Sequence, residues 1–171
     1  MRATAALLAL ACLALPGCEK PPTEPLRDEL VFERADGSRV QFSGTPRVWC
    51  GVWEEGVVGA QTLHVRLGSA AGPRWELRAV IPQVYTGQPI AFPNTFVWDD
   101  PRGAEIFVLD APNELSTGTP GSSGSITFER LDCAGTGGVR FRIDAVIGSE
   151  FGDGAPIAAS GTFGAPITGR P

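Results

Sequence analysis

The sequence is poor in several residue types that a helical, metal-dependent or nucleic-acid-binding protein needs. Its 171 residues include one histidine, one tyrosine and one methionine, and only 19% of them are charged. With a single imidazole, any histidine-based triad or zinc shell would have to run through His64. The 14 basic side chains are outnumbered by 19 acidic ones, for a net charge of -5, and they are spread thinly along the chain. No basic run is present to neutralise a phosphate backbone, so nucleic acid is not an expected partner. Helical periodicity does not persist anywhere, and no internal repeat of fixed period is found. No apolar stretch reaches the roughly 18 to 20 residues that span a bilayer, which leaves a transmembrane helix unsupported.

Glycine and proline, in contrast, are plentiful at 22 and 15 residues, and the apolar fraction is 43%. The chain is therefore too apolar for wholesale disorder and turns too often for long helices. From Leu30 onward, short alternating or apolar runs are separated by turn residues. Leu30 to Arg34 and Arg39 to Ser43 flank Asp36-Gly37, a hairpin signal because this pair supplies the positive φ of tight turns. Further strands are expected at Arg47–Trp53, Gln61–Leu67, Trp75–Ile81, Ile90–Trp98, Glu105–Asp110, Ser125–Leu131, Val139–Ile147 and Ala158–Phe163. The last three read as a meander, and Ile106 to Leu109, apolar on both faces, reads as a central strand. Alternation places Leu63, Val65 and Leu67 inside, and Thr62, His64 and Arg66 outside.

The expected fold class is all-β, an antiparallel β-sandwich of roughly seven to ten short strands. An immunoglobulin-like architecture is one version of it. The tyrosine which that fold places two residues before its second cysteine is Leu131 here, so the signal stops at a generic sandwich.

The N-terminus carries a different signal. Arg2, an apolar run from Ala3 to Leu15, and then Leu15-Pro16-Gly17-Cys18 read as an export signal. The tetrapeptide resembles the lipobox of bacterial lipoproteins, with Leu15, Gly17 and Cys18 at the matching positions and Pro16 at the remaining one. The resemblance implies cleavage before Cys18 and acylation of its new N-terminus. Because Glu19 rather than aspartate follows the cysteine, it also implies sorting to the outer membrane, with the domain facing the periplasm or the cell exterior. The expected organisation is then a signal peptide over 1–17, a lipidated, proline-rich tether over 18–28, and a single domain over 29–171.

With Cys12 in the signal and Cys18 carrying lipid, Cys50 and Cys133 are left in an oxidising compartment. A disulfide is the natural pairing; two buried free thiols, or a metal site completed by carboxylates, are the alternatives.

Candidate chemistry is sparse. His64 shares the presumed wet face with Thr62 and Arg66, and Gly121-Ser122-Ser123-Gly124-Ser125 does not have the spacing of a nucleophile elbow. Asp99 and Asp100, with Glu150 or Asp153, offer oxygen ligands of the kind calcium takes, but a solvated turn explains them as well. Gly135 to Gly138 reads as a turn. On a regular strand, Trp49 and Trp53 would share the face opposite Cys50 and form a flat apolar platform for a sugar ring or a protein patch. Against this, a covering loop or a bulge at Gly51 would hide them. The resulting expectation is a monomeric, non-catalytic envelope lipoprotein without a cofactor or metal. It would be held to the membrane by its lipid anchor and bind a protein or carbohydrate. Membership of a larger envelope assembly and a hydrolase activity are the rival readings.

Overall fold

The computed structural model describes residues 29–52, 61–69, 71–80, 87–94, 103–133, 137–152 and 154–169. Among them there is no helix, and no segment long and apolar enough to cross a membrane as one. The described residues form ten antiparallel strands: β1 (Leu30–Arg34), β2 (Arg47–Val52), β3 (Gln61–Gly68), β4 (Arg74–Val80), β5 (Pro89–Ala91), β6 (Ala104–Asp110), β7 (Asn113–Ser116), β8 (Ser123–Leu131), β9 (Gly138–Ser149) and β10 (Ile157–Pro166).

All ten belong to one hydrogen-bonded sheet with the path β1-β10-β9-β7-β6-β4-β3-β2, from which β8 and β5 branch off beside β9. The all-β antiparallel class is as the alternation predicts. The strands curl as one sheet into a half-barrel. The junction is β9. Its residues Val139 to Val146 lie between β8 and β10, whereas Gly148 and Ser149 pair with β7.

Glycine is required at this junction. A Cβ on Gly148 would lie 2.5 Å from the Thr119 hydroxyl and 3.0 Å from the Gly121 carbonyl carbon. Here the Gly148 amide donates to Ser122 Oγ at 2.9 Å, and the Ser122 and Thr119 hydroxyls donate to the Ser116 carbonyl at 2.8 and 3.0 Å. Ser122 is therefore a buried pin at the β7–β8 corner, where backbone groups would otherwise lose their partners.

Alternation decides the core. Trp75 of β4 lies at its centre, 1% exposed, with its ring 5.9 Å from Phe32 of β1, 6.4 Å from Phe141 of β9 and 5.4 Å from Phe163 of β10. Rings from both arms of the curled sheet meet there, mostly edge to face, the arrangement aromatic quadrupoles favour. At the rim, the inward-facing ends of β1 and β6 bring Arg34 and Asp110 together in a two-pronged pair, Nε to Oδ2 at 2.6 Å and Nη2 to Oδ1 at 2.8 Å. Two parallel charge-assisted bonds fix both orientation and distance.

The far edge, β2, is tied back to the other arm. Thr168, just beyond β10, donates its backbone N–H to the Val48 carbonyl at 2.7 Å, and its hydroxyl receives the Val48 N–H at 3.2 Å. Two residues along, Cys50 is bonded to Cys133, with their Cα atoms 5.8 Å apart. The predicted pairing is thus present, and it fastens a terminal strand of the path to the end of β8.

The sequence signals differ from the fold in three places. The Asp36-Gly37 turn forms, with Gly37 at φ 82°, but its returning arm is reduced to a single bridge between Glu33 and Arg39. Of the strand expected over 90–98, residues 90–94 are described, and there the strand is short, Pro89–Ala91, ending before Phe92. Strand β7, only four residues long after Pro112, has no periodicity by which to detect it and was not expected.

Candidate functional site

The outer face of the β2-β3-β4-β6-β7 arm carries the charged and aromatic side chains, and its composition follows from register. Positions one removed from the core residues line up across strands in two rows. One row runs Trp49, His64, Arg78, Glu105; the other runs Arg47, Arg66, Glu76, Phe107, Ser116. Directly opposed side chains in antiparallel strands touch, so these rows set the contacts.

In the first row, the Trp49 indole stacks flat on the His64 ring, with centroids 4.9 Å apart and planes 4° from parallel. His64 is only 8% exposed, and the neighbouring Thr62 2%. This corrects the expectation that both stand on a wet face: parity places them opposite the core, yet they are buried. The Thr62 hydroxyl donates to the Gly51 carbonyl at 3.1 Å, and with that proton committed it accepts from His64 Nε2 at 3.2 Å. Trp49 itself is half-buried on the outer face, as the alternation opposite Cys50 predicts. Trp53, its expected companion, lies outside the described residues, as do Asp99, Asp100 and Asp153 of the calcium reading. Glu150 is exposed in the turn after β9.

The second row is an ion-pair chain. Glu76 receives Arg66 Nε and Nη2 on Oε2 at 3.2 and 2.9 Å, and Arg78 Nε on Oε1 at 3.1 Å. Burial pushes the Glu76 carboxyl up, but Arg78 and Arg66 together outweigh it and hold the group below the ordinary glutamate range. The same two guanidinium groups reach aromatic rings: Arg66 lies 6.0 Å from the Trp49 centroid and Arg78 5.0 Å from that of Phe107. Trp49, Arg66, Glu76, Arg78 and Phe107 are therefore a single connected surface of rings and paired charges, built on strands.

The sequence marked Trp49 but not its partners. Arg66, Glu76, Arg78 and Phe107 are unremarkable in the linear chain, and only the β3–β4–β6 register brings them together. Chemically the surface offers flat aromatic area and oriented N–H donors, the components of a binding face. Among the described residues, no group of three or more histidine, cysteine or acidic side chains is placed to hold a metal ion. No protein-family model matches the chain, and no curated protein or solved structure is similar to it.

Proposed function

We propose that this protein is an envelope lipoprotein, anchored through acylated Cys18 and displaying its β domain as a non-catalytic binding module. Its binding face is the outer surface of the β2–β7 arm, centred on Trp49. The observation that carries this reading is the preorganised surface itself. Stacking on buried His64 fixes the indole, and Glu76 fixes the two neighbouring guanidinium groups, so little side-chain entropy remains to be lost on binding. An aromatic ring beside oriented donors suits a sugar ring, or a protein patch with an apolar centre and a polar rim. Residues 18–28 serve as the tether, and the Cys50–Cys133 bond suits an oxidising compartment.

Two measurements test the reading. Intact mass of the chain extracted from membranes should give an N-terminus at Cys18 carrying acyl chains, and an unmodified Cys18 refutes the anchor. Tryptophan fluorescence titration with soluble envelope oligosaccharides, and photo-crosslinking from position 107 in intact cells, should each report on the face. Trp49→Ala should remove whichever signal is found, and a signal untouched by that change refutes the placement.

A further inference from the structure

Beside the aromatic surface, at the end of the sheet where β2 and β4 begin and β3 ends, lies a cleft of about 430 Å³ whose lining includes Arg47, Arg66, Arg74, Thr45, Ser69 and Gly68. Its volume falls within the roughly 300 to 1,000 Å³ typical of ligand pockets. Among the described residues, no carboxylate lines it, although acidic side chains outnumber basic ones in the chain as a whole. Three guanidinium groups around one concavity in an acidic protein form a local field opposite in sign to the net charge.

The register makes this concentration a definite feature of the sheet. Arg47 and Arg66 are directly opposed on β2 and β3, and like charges in that relation disfavour the pairing. Arg74 follows on the same face, opposite Gly68. Gly68 has φ 117°, and a Cβ there would lie 2.3 Å from the Pro73 carbonyl oxygen, so no side chain can fill the floor between the arginines. Arg66 already serves Glu76, and that carboxylate is shared with Arg78. Neither Arg47 nor Arg74 forms an ion pair among the described residues, whereas Arg34, Arg39, Arg66, Arg78 and Arg140 all do. Two arginines that form no ion pair among the described residues, and one that shares Glu76, thus line one cleft together with Thr45 and Ser69.

We infer that this cleft is a binding site for a phosphate group. Planar guanidinium forks match the paired oxygens of a phosphate, which also supplies the negative charge that relieves the Arg47–Arg66 opposition. The size of the cleft leaves room for the organic portion of a phosphate monoester, whether a soluble metabolite or a lipid headgroup. The site holds whether or not Cys18 is acylated. Arg66 is common to the cleft and to the Trp49 surface, so a ligand carrying a phosphate beside a ring could span the two.

The test uses the full chain with Cys18→Ser, so that no acyl group binds vesicles, and compares it with two double variants. One is Arg47→Ala with Arg74→Ala. The control is Arg130→Ala with Arg142→Ala, which removes the same charge from exposed positions on β8 and β9. Titration calorimetry with inorganic phosphate at low salt should give saturable binding, weakened at least 10-fold by the Arg47/Arg74 changes and less than 2-fold by the control. Vesicles of phosphatidylcholine containing phosphatidic acid then identify the source. Competition by vesicles at lower total phosphate than the inorganic ion assigns a lipid headgroup, and weaker competition assigns a soluble monoester. Absence of saturable phosphate binding overturns the proposal. So does equal weakening by both double variants, which would mean that net charge rather than the cleft attracts the ion. Failure of the Trp49→Ala test leaves this outcome unaffected, so the two readings fail separately.

Discussion

Removing the Cys50–Cys133 bond is the most direct test of how the curled sheet is held closed. The bond spans 83 residues of sequence. In the chain-entropy description, releasing a loop of that length costs about 4.6 kcal/mol through the greater freedom of the unfolded chain, and native disulfides give about 2 to 5 kcal/mol in practice. The folded state should survive reduction, because the seam has a second fastening. Thr168 bonds Val48 through its backbone N–H and, by its hydroxyl, both accepts the Val48 N–H and donates to the Val48 carbonyl. The expected result for Cys50→Ala with Cys133→Ala is a folded protein less stable by about 3 to 5 kcal/mol, with a larger denaturant slope because its unfolded chain is more expanded. Urea unfolding followed by fluorescence and by circular dichroism measures both quantities. Thr168→Val, which removes only the hydroxyl bonds, should cost about 1 to 2 kcal/mol. It should cost more in the cysteine-free chain than in the oxidised one, since among the described residues the Thr168–Val48 bonds are then the hydrogen-bonded tie that holds β2 to the opposite arm, and the backbone bond alone remains of them. A loss below about 1 kcal/mol on removing both cysteines would refute the account, as would strict additivity with Thr168→Val.

Glycine substitutions separate close packing from backbone freedom. A Cβ on Gly124 would sit 2.1 Å from the Asp144 carbonyl oxygen at φ 92°, whereas one on Gly37 would meet nothing within 4 Å; Gly124→Ala should therefore cost more than about 3 kcal/mol and Gly37→Ala about 1 to 2 kcal/mol by thermal unfolding. Asp110→Asn should lower the melting temperature by loosening the pair with Arg34, and the difference from the parent should shrink as salt is raised, because Arg34 is partly open to solvent. Acid titration of stability carries a definite sign at Glu76. Its folded-state value is depressed, so its contribution is complete above the ordinary value of 4.5 and is lost as the pH falls through the lower folded value. Glu76→Gln should remove that part of the acid dependence, and an unchanged pH profile would show that Arg66 and Arg78 do not hold the carboxylate.

Much of the architecture was legible locally. Strands β4, β9 and β10 announce themselves because one face of each is buried and burial on one face imposes a period of two; β3 alternates in composition although both its faces are covered, and β6 shows as an apolar run. The order β8-β9-β10 followed from short connections, which leave consecutive strands little choice but to pair. The cysteine pair was legible by elimination once Cys12 and Cys18 had been assigned to the export signal. Trp49 could be placed opposite Cys50 by parity alone.

Other features have no local signature. Strand β7 is too short to show a period, and the junction at Gly148 depends on what lies against it, namely Thr119 and Gly121 from another part of the chain. Alternation puts His64 on the outer side of the sheet but says nothing of what covers that side; here Trp49 stacks on its ring. The arginines show the same division. Along the chain Arg47, Arg66 and Arg74 are isolated charges in an acidic sequence, which is why the sequence indicates no anion site. Antiparallel pairing converts separations of 19 and 8 residues into adjacency on one face. The sequence by itself determined most of the strands, the side of each that packs into the core, and the cysteine pair, because each depends on spacing within one short segment or on a count. The curl of the sheet, the burial of His64 and the arginine cleft were decided only by tertiary structure, because each depends on which distant strand lies alongside and in what register.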